Sequence, residues 1–110
     1  MNRREPESDW KLKLRYGRLS TPYKHFTVLA EGRMNNANEF KCPVGPAWIT
    51  MKTWAGDVEE SGQMVQVIGE KIGFIITGKI EIYVTEPLKP PRKNPYGYDI
   101  SFTPFEESIA

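Results

Sequence analysis

Hydrophobic and polar positions alternate with two different periods along this chain, and the change of period marks its elements. From Trp10 the residues alternate: Trp10, Leu12, Leu14 and Tyr16 on one side, Lys11, Lys13 and Arg15 on the other, which predicts a half-buried strand. Gly17 to Pro22 reads as a turn, and residues 23–30 (YKHFTVLA), rich in aromatic and β-branched types, predict a second strand. Gly32, Asn35, Asn36 and Asn38 mark a connection, with Glu39–Cys42 as a short further strand ended by Pro43, Gly45 and Pro46. Residues 47–54 alternate again, setting Trp48, Thr50, Lys52 and Trp54 against Ala47, Ile49, Met51 and Thr53.

The period then lengthens. Val58, Ser61, Val65, Ile68 and Ile72 recur three and four residues apart and form one helical stripe. Asp57 is placed to cap that helix, Glu60 follows three residues on as in a capping box, and Gly73 stands at the natural stop. Phe74–Val84 predicts a long strand in which Gly78 marks a bulge or a close approach. Pro87, Pro90, Pro91 and Pro95 make residues 85–97 a stiff connection, and residues 98–103 predict a last strand with Tyr98, Ile100 and Phe102 on one face.

The order β-β-(β)-β-α-β-β predicts an α+β fold: a mostly antiparallel, curved sheet of five to six strands with one amphipathic helix over about 57–72. Residues 1–9 read as a polar tail and 10–110 as a single domain, which suits a chain of 110 residues. One helix of about 15 residues covers only two or three strands. Aromatic sheet surface around Trp48 and Trp54 is therefore expected to curl into a barrel, dock on a second copy or line a pocket.

Composition narrows the chemistry. The chain holds one cysteine, Cys42, and one histidine, His25, so neither a disulfide nor a typical transition-metal ligand set can be assembled, and no cofactor is called for. There is no apolar leader pattern and no run long enough to span a membrane, so a cytoplasmic protein is expected. The net charge of +1 gives no global field for nucleic acid. Lys11, Lys13, Arg15 and Arg18 read as a basic strand face, but their interleaved aromatics point the other way. Residues 1–33 hold eight Lys/Arg against four Asp/Glu, and the remainder seven against ten, an asymmetry open to partner contacts.

The bland reading accounts for most single residues. Asp57, Glu59 and Glu60 suit a helix start better than a metal, and Cys42 has no adjacent base to activate it. Pro87–Arg92 fits the P-x-x-P-x-R form of polyproline ligands, although a rigid crossover explains it as well. No catalytic set emerges. The binding candidates are His25, Trp48, Trp54, Tyr96, Tyr98 and Asp99, because aromatics with polar tips serve at interfaces and ligand sites.

Tyr16–Gly32 (YGRLSTPYKHFTVLAEG) together with Asn94–Glu107 (NPYGYDISFTPFEE) resembles small bacterial proteins of unassigned role, of the kind carried as mobile integron gene cassettes. That resemblance implies a bacterial cytosolic protein and transfers no functional residue. The expected function is a non-enzymatic binding or protein-interaction module, self-associating as a homodimer and taking a small-molecule or protein ligand. The alternatives are a small enzyme with an acid/base pocket of His25, Tyr98 and Asp99, and a toxin-neutralising or regulatory protein.

Overall fold

A computed structural model describes residues 6–106. Two helices and four strands follow one another as α1 (Pro6–Arg15), β1 (Lys24–Met34), β2 (Gly45–Ala55), α2 (Val58–Ile72), β3 (Phe74–Val84) and β4 (Tyr96–Pro104). The strands form one antiparallel sheet in the order β3-β1-β2-β4. The α+β class and the antiparallel sheet are as expected; the five to six strands and single helix are not.

Two of the expected strands are absent, each for a local reason. Trp10–Tyr16 belongs to α1 and its end, not to a strand, and the helix starts at Pro6, inside the expected tail. Alternation of Leu with Lys over so few residues is compatible with either period. Propensity decides: residues 6–15 contain no β-branched side chain, and Leu, Lys and Arg are good helix formers. Pro6 suits a first helical position, and Lys13 and Arg15 lie in the last turn, where the helix dipole favours cations. The expected strand at Glu39–Cys42 is a loop organised by Asn38. Its Oδ1 accepts from Phe40 N (3.0 Å) and Cys42 N (3.2 Å), and its Nδ2 donates to Cys42 O (2.9 Å). A side chain that captures these groups removes them from any ladder.

The second helix forms as the sequence predicts. Asp57 Oδ1 accepts from Glu60 N at 2.8 Å, and Glu60 Oε1 accepts in return from Gly56 N at 2.6 Å, one residue earlier than in the usual box. Gly73 ends the helix at φ 111°, a left-handed conformation that favours glycine. The buried stripe of α2 is Ser61, Val65 and Gly69, with Ile68 and Ile72 partly buried. Val58, expected on the stripe, is exposed.

α2 lies on one face of the sheet over Val28, Ala30, Met34, Ala47, Ile49, Met51 and Phe74, which with Val65 form the core. Ser61 Oγ pairs there with Thr53 Oγ1 at 2.7 Å, so the buried hydroxyls satisfy each other. Two irregularities set which side chains reach this core. On β3, Thr77–Lys79 face the single residue Glu31, a bulge at the expected Gly78. On β4, the register against β2 shifts by one at Asp99, whose φ is 55°. That shift separates residues expected on one face. Tyr98 lies on the side away from α2, and Ile100 and Phe102 pack against the core.

Candidate functional site

β3 and β4 occupy opposite edges of the sheet, so residues 85–95 must cross its full width, roughly 14 Å at the usual strand spacing. This proline-rich strap runs over the face that α2 leaves open, at the end where β1 begins and β2 finishes. Strand register brings the binding candidates beneath it. His25 is the cross-strand partner of Trp54, Trp54 of Tyr96, and Lys52 of Tyr98.

His25 is the centre of the arrangement. Its Nδ1 lies 3.1 Å from both Thr85 O and Thr85 Oγ1, and its Nε2 lies 2.6 Å from Tyr98 Oη. A carbonyl can only accept, so Nδ1 carries the proton and the Nε2 lone pair accepts from the tyrosine. The Tyr98 oxygen accepts in turn from Leu88 N (2.9 Å) and Lys89 N (3.2 Å). One donation and two acceptances use all that a phenol offers. Thr27 Oγ1 completes the network on Thr85 Oγ1 at 2.8 Å.

The other aromatic side chains also grip the strap. Trp54 Nε1 donates to Lys89 O at 2.8 Å, Tyr23 Oη to Lys93 O at 3.1 Å, and Tyr96 Oη to Pro90 O. The Arg92 guanidinium stacks 4.0 Å from the centre of the Tyr96 ring, and Lys89 Nζ lies 5.6 Å from that of Tyr98. The carbonyls and the arginine that a P-x-x-P-x-R ligand would offer are thus engaged by the sheet itself.

The protonation chemistry agrees with a fixed role. Burial holds the His25 imidazole below its ordinary value of 6.5, and the Lys52 charge acts in the same direction. The Thr85 hydrogen bond and Glu86 oppose these effects without reversing them. A base whose lone pair is already occupied, and which resists protonation, is a poor proton acceptor.

Four of the six sequence-derived candidates therefore come together: His25, Trp54, Tyr96 and Tyr98. Asp99 sits on the bulge and pairs with Lys52 Nζ at 2.7 Å, not with His25. Trp48 lies toward the other end of β2, opposite Glu31 and Thr103, with its ring 6.3 Å from that of Phe105. Thr85 and the strap backbone are the members that sequence reasoning missed. The proline density announced a stiff crossover but not which carbonyls it would present.

With the strap in place, the open face across β1, β2 and β4 is largely polar. It presents Thr27, Leu29, Thr50, Lys52, Ser101 and Thr103, the mixture of an antiparallel sheet turned toward water. The expected aromatic surface is thus reduced to Trp48 and its surroundings. Four exposed apolar side chains lie on β3: Ile75 and Tyr83 toward the open face, and Ile80 and Val84 toward the α2 side, the last 77% exposed; others are spread over both helices and the loops.

Cys42 is buried, and burial pushes its thiol up. Among the described residues no group of His, Cys, Asp and Glu is arranged to hold a metal, and no helix is long and apolar enough to cross a membrane. Set beside protein-family models, curated proteins and solved structures, the chain matches none of them.

Proposed function

We propose that the protein is a non-enzymatic interaction module that associates through the surface of its sheet. The observation that carries this reading is the apolar surface of β3, where Ile75, Ile80, Tyr83 and Val84 stand in solvent on an edge strand. Exposed apolar side chains on a strand whose outer backbone groups are unpaired mark a contact edge. The chemistry of His25 supports the same reading, because its two nitrogens are committed to holding the strap.

The test pairs two measurements. Sedimentation velocity from about 5 to 500 µM is expected to show concentration-dependent association. Imidazole nitrogen shifts of His25 are expected to report a neutral Nδ1–H tautomer at pH 7. A chain that neither self-associates nor binds a protein partner, with an imidazole that titrates near neutrality and responds to a small ligand, would overturn the proposal and restore the acid/base enzyme.

A further inference from the structure

The two edges of the sheet are not equally protected. β4 carries the Asp99 bulge and ends at Pro104, features that keep other strands from adding to an edge. β3 is bulged over Thr77–Lys79, but Ile80–Val84 pairs with Phe26–Ala30 in unbroken register. These five residues, Ile-Glu-Ile-Tyr-Val, have the composition of a strand with neighbours on both sides. Among the described residues only the side toward β1 is occupied.

The direction of the backbone groups follows from one bond. Thr85 N donates to His25 O, on β1. Peptide groups alternate along a strand, so the N–H groups of Tyr83 and Glu81 also face β1, whereas those of Val84, Ile82 and Ile80 face outward from the sheet. Resting on the interaction reading above, we infer that the partner is a second copy of this chain, whose Ile80–Val84 pairs antiparallel with the first about a two-fold axis at Ile82.

That register satisfies each requirement of a self-complementary edge. Ile82 meets Ile82 of the other copy, and Ile80 meets Val84. All three are positions with outward N–H groups, so each pair exchanges two backbone hydrogen bonds. On the side toward α2 the contacts are Ile–Val and Ile–Ile, which cover Val84 and Ile80. On the open side Glu81 meets Tyr83. Within one chain the Tyr83 hydroxyl donates to the Glu81 carboxylate, and in this register it can exchange that acceptor for the Glu81 carboxylate of the other copy. No like charges are opposed, whereas a two-fold axis at Glu81 would set carboxylate against carboxylate. The bulge at Thr77–Lys79 and Pro87 bound the window, and the product is one continuous eight-stranded sheet.

The experiment compares the full chain with Val84→Pro, Val84→Lys and, as a control on the open face at the opposite edge, Ser101→Lys. Position 84 is mostly in solvent and its N–H points outward, so proline there leaves the pairing with β1 intact. Sedimentation equilibrium is expected to give a dimer with Kd on the order of 10 µM, weakened at least tenfold by either Val84 variant and unchanged by Ser101→Lys. Amide exchange is expected to be slow at Ile80, Ile82 and Val84 at high protein concentration and fast on dilution, because among the described residues of one copy no acceptor pairs with these groups. Association that survives both Val84 variants, or fast exchange at Ile82 in a proven dimer, refutes the β3 pairing and leaves the interaction reading standing. A monomer at about 500 µM refutes the pairing as well, and the interaction reading then depends on a different protein partner.

Discussion

Replacing Tyr98 by phenylalanine tests whether the strap is held as described. The substitution keeps the ring, which is 7% exposed, and removes one oxygen atom. That atom makes three hydrogen bonds: to His25 Nε2 at 2.6 Å and from the Leu88 and Lys89 N–H groups at 2.9 and 3.2 Å. The strap amides lie near the surface and recover water, so they cost little. The imidazole Nε2 is enclosed and does not. An unsatisfied buried acceptor together with the lost bonds is worth about 2–3 kcal/mol, a large share of the stability of a domain of this size. In a urea titration followed by tryptophan fluorescence, the midpoint is expected to fall by about 1–2 M with the slope unchanged. A second readout separates this cause from general loosening. The neutral imidazole loses the donor that stabilised it, so the His25 pKa should rise toward its ordinary value. A loss below about 0.5 kcal/mol, with His25 titrating as before, would show that the network does not hold the strap.

Three further outcomes follow from other parts of the molecule. A Cβ at Gly32 would stand 2.2 Å from the backbone oxygen of Ile75, so Gly32→Ala forces β1 and β3 apart; a loss of more than about 3 kcal/mol by chemical denaturation, or failure to fold, is expected. Asp99→Gly relieves the left-handed backbone at φ 55° but gives up a partly exposed ion pair with Lys52, so stability should stay within about 1 kcal/mol of the parent, whereas Asp99→Val should cost about 1–2 kcal/mol. The folded-state pKa of His25 is below 6.5, so as pH falls through 6.5 the unfolded chain binds the proton first; His25 therefore makes stability decline below that pH, by up to about 1.4 kcal/mol per pH unit, and His25→Gln should flatten this part of the curve measured by thermal melts.

The elements with the strongest periodicity were legible in the sequence, and those decided by context were not. α2 could be read from its stripe, its Asp57 cap and its Gly73 stop, because these signals are local and agree. β1, β2 and β3 were equally plain. α1 was misread because Trp10–Tyr16 is too short for its alternation to outweigh helix propensity. The face assigned to Ile100 and Phe102 failed at Asp99, since a one-residue bulge leaves no mark on a hydrophobicity pattern. At the site, the candidates were chosen for residue type alone. His25, Trp54, Tyr96 and Tyr98 do converge, but on the chain's own strap. Only the strand order, which puts β3 and β4 on opposite edges, reveals that the strap must cross above them. The exposure of β3 was hidden for the same reason: its composition suits the centre of a sheet, and position is a tertiary fact.

The strand order β3-β1-β2-β4 also governs how the chain is assembled as it is made. β1 and β2 leave the ribosome before the other strands and form the middle of the finished sheet, so growth runs outward from a central hairpin. α2 and β3 come next and close one flank. β4 is the last strand synthesised and docks on the opposite flank. Until then β2 has a free side, and Trp54 and His25 lie bare. A chain released after residues 85–95 would therefore be a three-stranded intermediate with the β2 flank still open, the form of this protein most exposed to capture by chaperones or to misassembly.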